Sequence, residues 1–139
     1  MYITIEDLGT HLYAEAIASI TRSNDDIATE AIATAIAEAK MYLKGYNLTA
    51  LFGTDTLPPT IADPHLKTLI KSMVCYRLLL LCNATGVPIN TYKEAYEKAV
   101  DTLKNIRDGK AVPEGWLPAD TDNAGSVAWN SQPKRQNYF

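Results

Sequence analysis

Apolar residues recur every three or four positions in four stretches of the 139-residue chain, which is the periodicity of an amphipathic α-helix. The most regular stretch begins near Thr91 and Glu94, which have capping-box spacing, and stops before Gly109 and Pro113. Its apolar stripe consists of Tyr92, Tyr96, Ala99, Leu103 and Ile106. This stretch therefore predicts an amphipathic helix that follows Thr91 and ends at Gly109.

A second stripe predicts a long helix that follows Ser23. Ser23 and Asp26 are spaced as a capping box, and Gly45 marks the expected end of the helix. The stripe consists of Ile32, Ile36, Ala39, Leu43 and Tyr46. Six alanines between positions 28 and 39 favour the helix and allow neighbouring elements to approach closely.

The most apolar stretch follows a turn-rich connection and predicts the central helix of the fold. Asp63 precedes Pro64, a combination that favours an N-cap followed by the first helical position. The stripe consists of Leu66, Leu69, Ile70, Met73, Val74, Leu78 and Leu81. Tyr76, Leu79 and Leu80 cover other faces, and a helix that is apolar nearly all round is expected to be buried.

The N-terminal residues predict two shorter pieces of helix. Thr4 is placed to cap a helix from Ile5 to about Tyr13, and a second piece runs from Ala14 to Ile20. Together the stretches predict an all-α fold, a compact bundle of four to five helices with a long, mostly irregular C-terminal tail. We expect residues 1–109 to form the helical domain and residues 110–139 an extended C-terminal arm.

The arm is unusual because helical periodicity stops at Lys110 while large aromatic residues continue. One interpretation is that its two tryptophans fold back on the helical core. The other is that the arm binds a partner, with its aromatic residues filling pockets and its basic residues pairing with acidic groups. The candidate partner-binding residues are Trp116, Trp129, Pro133, Lys134, Arg135, Tyr138 and Phe139.

Charge is distributed unevenly along the chain. Residues 1–38 contain seven acids and one base, whereas residues 39–110 contain ten bases and six acids, within a net charge of −3. This asymmetry is either variation on solvated surfaces or a sign that the acidic part of one copy contacts the basic part of another. The first residues lack the pattern of a signal peptide, and no stretch approaches the ~20 apolar residues of a membrane span.

The sequence offers few groups for chemistry. His11 and His65 lie on different elements, and Cys75 and Cys82 are interpreted as thiols of the core. Phosphate-binding glycine loops and the common nucleophile and zinc motifs are absent. We expect no catalytic residue, no metal and no cofactor. A helix–turn–helix DNA-binding protein is a minor alternative, which Glu94 and Glu97 oppose because they would face phosphates.

Several short sequences in the same order resemble the small head–tail connector (head-completion or adaptor) proteins of tailed bacteriophages, in particular their Mu-like branch of phage proteins of unknown function. They are Met1-Tyr2 with Thr4, Asp7 and Leu8, the Leu57-Pro58-Pro59 turn, Tyr76-Arg77-Leu78, Tyr96-Glu97-Lys98-Ala99 with Leu103 and Ile106, Gly109-Lys110-Ala111, and Ser131-Gln132-Pro133-Lys134-Arg135. The acidic stretch from Glu114 to Trp129 departs from the family pattern.

The resemblance implies an α-helical, structural virion protein at the head–tail interface, present in the host cytoplasm before assembly. Such subunits commonly form a twelvefold ring beneath the portal protein and present a surface to a tail or stopper protein. DNA passes through the ring without sequence-specific binding, and related connectors send a C-terminal segment onto the portal or a neighbouring subunit. The alternative function is that of a small helical protein–protein interaction or regulatory module.

Overall fold

The structure is a computed structural model that describes residues 2–12, 14–81 and 89–119. Within these ranges the chain forms five α-helices and one short 3-10 helix, and it contains no β-strand. In chain order they are the 3-10 helix Glu6–Thr10, α1 (Ala14–Thr21), α2 (Asp25–Tyr42), α3 (Leu48–Phe52), α4 (Pro64–Leu80) and α5 (Ile89–Arg107). The predicted all-α class is confirmed.

Helix α4 is the central element, as the sequence predicts. It begins where Asp63 Oδ1 accepts hydrogen bonds from the backbone N–H groups of His65 (2.9 Å) and Leu66 (3.2 Å). It packs against α5, α2, α1 and the 3-10 helix. Its buried residues are Leu66, Leu69, Ile70, Met73, Val74, Cys75, Leu78 and Leu79. Leu81 was assigned to the stripe wrongly, because it follows the last turn of α4 and is 62% exposed.

The three long helices define two ends of the bundle. The Arg107 guanidinium lies 5.7 Å from the centre of the Tyr42 ring, so the C-termini of α2 and α5 meet. At the other end, the first half of α2 and the C-terminal end of α4 line one cleft together. Helix α4 therefore runs opposite to α2. We call the end with the C-termini of α2 and α5 the basal end and the opposite end the apical end.

The start of α2 differs from the prediction. Ser23 was expected to cap it, but Ser23 has a left-handed backbone (φ 61°) and its N–H donates to the carbonyl of Ala18 at 2.9 Å. That bond closes the C-terminus of α1, so the capping role passes to Asn24, whose side chain accepts from the N–H of Asp26. The predicted end of α2 also lies too far along the chain. The helix stops at Tyr42, not Gly45, and Asn47 then caps the separate helix α3.

The other helix ends agree with the sequence in part. Thr4 and Asp7 exchange hydrogen bonds between side chain and backbone N–H, but the N-cap position of the helix is Ile5, and the helix is a short 3-10 helix that ends at Thr10. Helix α5 begins at Ile89, so the capping box assigned to Thr91 and Glu94 is wrong because Thr91 lies inside the first turn. Gly109 follows α5 with φ 80° and ends it as predicted.

Burial in α4 leads to a direct test of the core. Leu78→Ala removes a fully buried side chain and is expected to lower the free energy of unfolding by roughly 2–5 kcal/mol. Leu80→Ala is the matched control on the same helix, because Leu80 is 57% exposed and should change stability by no more than ~0.5 kcal/mol. Denaturant unfolding followed by circular dichroism measures both. Equal losses would contradict the described packing of α4.

Candidate interaction surfaces

The residues that follow α5 turn back across the basal end of the bundle, and we call residues 110–119 the strap. The N–H of Asn47 donates to the carbonyl of Leu117, and the N–H of Ala119 donates to the carbonyl of Gly45, both at 2.9 Å. These two bonds flank an isolated antiparallel bridge between Tyr46 and Pro118. The strap is thereby attached to the connection between α2 and α3.

Trp116 fixes the strap to the start of α4. Its indole Nε1–H donates to Asp63 Oδ2 at 2.6 Å, and its ring meets the Tyr46 ring edge-on at 5.2 Å between centroids. A hydrogen bond to a carboxylate is stronger than one between neutral groups. Asp63 consequently serves two elements, since its other oxygen caps α4.

For Trp116 the structure shows the first of the two arrangements that the sequence allows, packing on its own helical core. The other candidate partner-binding residues lie outside the described residues; they are Trp129, Pro133, Lys134, Arg135, Tyr138 and Phe139. The partner-binding role of all seven residues and the boundary between residues 109 and 110 stay predictions. Sequence reasoning missed the pairing of Trp116 with Asp63, which are 53 positions apart and share no periodic pattern.

A second polar cluster joins the three long helices. Glu38 of α2 accepts hydrogen bonds from the Arg77 guanidinium of α4 and from the Tyr96 hydroxyl of α5, the latter at 2.8 Å. The Tyr76 and Tyr96 rings lie 5.0 Å apart beside it. Burial, and then the hydrogen bond to Glu38, raise the pKa of Tyr96 to about 12. The cluster links the three helices, and Arg77 also lines the cleft between the first half of α2 and the C-terminal end of α4.

The structure places two of the groups that could carry chemistry, Cys75 and His11. No group of His, Cys, Asp and Glu in them is arranged to hold a metal ion. Cys75 is buried, which raises the pKa of its thiol to about 12 and confirms its prediction as a core residue, whereas Cys82 lies outside the described residues. Burial lowers the pKa of His11. Among the described helices none is both long enough and apolar enough to cross a bilayer.

The contact between Trp116 and Asp63 can be tested by a double-mutant cycle. Asp63→Ala and Trp116→Phe together should destabilise the fold by less than the sum of the single changes, with a coupling of roughly 1–2 kcal/mol from the charge-assisted hydrogen bond. The control cycle combines Asp55→Ala with Trp116→Phe. Asp55 is an exposed acid of the loop before α4, so this pair should show no coupling. Additive effects in the Asp63 cycle would contradict the contact.

The raised pKa of Tyr96 predicts a pH dependence. The folded state favours the protonated phenol, so this contribution to stability is complete below pH 10 and is lost as the pH rises through about 12. Tyr96→Phe should therefore show a smaller fall in the free energy of unfolding over this interval. Burial also raises the pKa of Tyr2 to about 12. Ionisation of Tyr2 therefore accounts for part of the fall in the free energy of unfolding that remains in this variant. An unchanged alkaline profile in Tyr96→Phe would exclude the described environment of its hydroxyl.

Comparison with known proteins adds a family. Residues 2–128 match the model of the family described as bacteriophage Mu, Gp36. The matched range includes all but the last residue of the stretch from Glu114 to Trp129 that we expected to depart from the family, whereas Ser131–Arg135 lie beyond it. The searches of curated proteins and of solved structures found no match. Because the match covers most of the chain, this protein belongs to the bacteriophage Mu Gp36 family.

Proposed function

We propose that the protein is a structural virion component, a head–tail connector that assembles beneath the portal protein and joins the capsid to the tail. The observation that carries this proposal is its membership of a Mu-like phage family over residues 2–128. The resemblance noted in the sequence supplies the finer role. It includes assembly as a twelvefold ring, contact with a tail or stopper protein, and a channel through which DNA passes.

The surface of the bundle supports assembly from identical copies. The basal end carries five bases, Lys40, Lys44, Lys104, Arg107 and Lys110, against three acids, Asp63, Asp108 and Glu114, and Arg107 is ion-paired with Asp108. The apical end holds Asp25, Asp26 and Glu30 in the first turns of α2, beside one base, Arg22, in the preceding turn. Opposite charges at opposite ends favour head-to-tail contacts between copies, and such contacts close into rings when the rotation permits.

Both ends also expose large apolar side chains that assembly would cover. Met41, Val112 and Leu117 are 51–79% exposed at the basal end. Leu80 and Leu81 are 57% and 62% exposed where α4 ends at the apical end. Contacts that remove these side chains from water would contribute to association through the hydrophobic effect.

The connector role is tested in a phage that lacks this gene. We expect heads that package DNA but do not acquire tails, and restoration of tailed, infectious particles when the gene is supplied. The protein should be found in the purified particles. Tailed particles formed without the protein would overturn the connector role, and a protein found only free in infected cells would favour the interaction or regulatory alternative.

A truncation separates the folded body from the arm. A chain that ends at Ala119 keeps Trp116 and every described contact of the strap, so its helix content and stability should match the full chain. If residues 120–139 bind the partner, this truncated chain should not be incorporated into particles. Normal incorporation of the folded truncated chain would exclude a partner-binding role for the arm.

The control is a chain that ends at Lys110, which removes most of the strap as well as the arm. It loses the hydrogen bond between Trp116 and Asp63, so it should unfold at lower denaturant concentration. Comparison of the two truncations distinguishes a failure to bind a partner from a failure to fold.

A further inference from the structure

Helix α2 has one face that the other described elements leave open to solvent. The positions on this face follow one another at alternating intervals of four and three residues, which is the spacing of helices that pack side by side. In chain order they are Asp26, Glu30, Ala33, Ala37, Lys40 and Lys44. The last of them directly follows Leu43, the C-cap of the helix. We call these six residues the α2 face.

The charges of the α2 face are self-complementary. Its two acids lie at the start of the helix, its two lysines lie at the end, and alanines lie between them. The six positions are symmetric about Ala35, so a two-fold axis at that level places each acid opposite a lysine of a second, antiparallel copy. The opposed residues are Asp26 with Lys44, Glu30 with Lys40, and Ala33 with Ala37. The small alanines allow the two helices to approach closely.

The four charged side chains are available for these pairs. Asp26, Glu30 and Lys44 are exposed. Lys40 is half-buried, with its Nζ 5.4 Å from the centre of the Phe52 ring. Within the described ranges none of the four forms an ion pair. A second copy in antiparallel orientation neutralises all four, whereas a parallel copy in register would place like charges together.

An apolar cleft of about 270 Å³ adjoins the α2 face between α2 and the end of α4. Ile27 and Thr34 line the cleft from α2, and the exposed Leu80 and Leu81 line it from the other side. Met41 is 68% exposed and lies on the same side of α2, because it follows Thr34 by seven residues.

The two-fold axis brings Met41 of one copy to the cleft of the other. An axis perpendicular to both helices joins the same side of each α2. In the antiparallel register Met41 is then level with the turn between Ile27 and Thr34 of the second copy. The methionine side chain would be removed from water there, together with the exposed leucines of the cleft.

We propose that α2 of one copy packs antiparallel against α2 of a second copy, with Met41 of each in the cleft of the other. This contact closes at two copies, so it differs from the head-to-tail contact proposed for the ring. Both contacts use the acids and lysines of α2, so one copy cannot make both through them at once. The dimer is a form of the free protein that separates before the ring assembles, and its existence does not depend on the connector role.

Charge reversal in the full-length chain tests the pairing. One variant combines Asp26→Lys with Glu30→Lys, and the other combines Lys40→Glu with Lys44→Glu. Each alone should weaken dimerisation by about tenfold or more, measured by sedimentation equilibrium over a concentration series. An equimolar mixture should dimerise as the wild-type chain does, because every pair between unlike copies again joins opposite charges. A mixture that associates no better than its components would overturn the proposal.

The mass of the associated species distinguishes the two-fold contact from a head-to-tail contact. The two-fold contact gives dimers alone, in the wild-type chain and in the mixture. Head-to-tail contacts through the same charges would give trimers and larger species in both. Larger species that disappear in the separate charge variants would therefore overturn the two-fold arrangement.

The matched control combines Glu97→Lys with Asp101→Lys. These are two exposed acids of α5 with the same spacing of four residues as Asp26 and Glu30, so the net charge changes equally. Neither belongs to the α2 face or lines the cleft. The control should dimerise as the wild-type chain does, and an effect equal to that of the α2 variant would overturn the proposal.

The place of Met41 is tested separately. Met41→Ala should weaken dimerisation by about tenfold, because a methionine of each copy no longer fills a cleft. Leu57→Ala is the control, since Leu57 is 62% exposed in the loop before α4. Equal effects of the two changes would contradict the contact between Met41 and the cleft.

A last variant excludes the C-terminal arm as the occupant of the α2 face. Lys134→Glu with Arg135→Glu in the full-length chain should leave dimerisation unchanged. Its loss would assign the contact to the arm and overturn the proposal, as would a wild-type chain that stays monomeric at its highest attainable concentration. Circular dichroism checks the fold of each variant. These measurements use purified protein, so their failure is separate from failure of the connector role, which is measured in particles.

Discussion

The structure depends on the burial of helix α4, because exposing its apolar surface to water is unfavourable. Helix α4 is apolar on most of its circumference, and removing that surface from water supplies the main driving force for the fold. Elements from every described part of the chain therefore pack around it. Even its partly exposed lysines lie against neighbours, since Lys67 sits over the Tyr2 ring and Lys71 donates to Thr10. The other helices are therefore positioned by their packing against α4.

The Asp63 side chain connects the start of α4 with the strap. One carboxylate oxygen supplies the cap that starts α4, and the other holds Trp116. The strap is therefore anchored at the N-terminus of the helix on which the core is built. As a result Ala119, the last residue that the structure describes, has a fixed position at the basal end.

The acidic and basic parts of the sequence lie at different ends of the bundle. Because α2 and α5 run in parallel, their C-terminal bases gather at the basal end, and the acids at the start of α2 lie at the apical end. The favourable placement of acids at helix N-termini and bases at helix C-termini adds to this separation. Family membership identifies a Mu-like phage protein. The polarity of the bundle is the physical reason to propose that it works by contacts between copies.

The sequence by itself determined the helical class, the central position of α4 and its cap at Asp63, because periodicity and capping act over a few residues. The predictions made from the sequence were wrong at Ser23, Thr91 and Leu81, because neighbouring turns decide which residue caps or ends a helix. Only the tertiary structure decided that Trp116 meets Asp63 and that Glu38 binds both Arg77 and Tyr96. Those contacts link residues far apart in sequence, and their partners are selected by packing around α4, which no local pattern encodes.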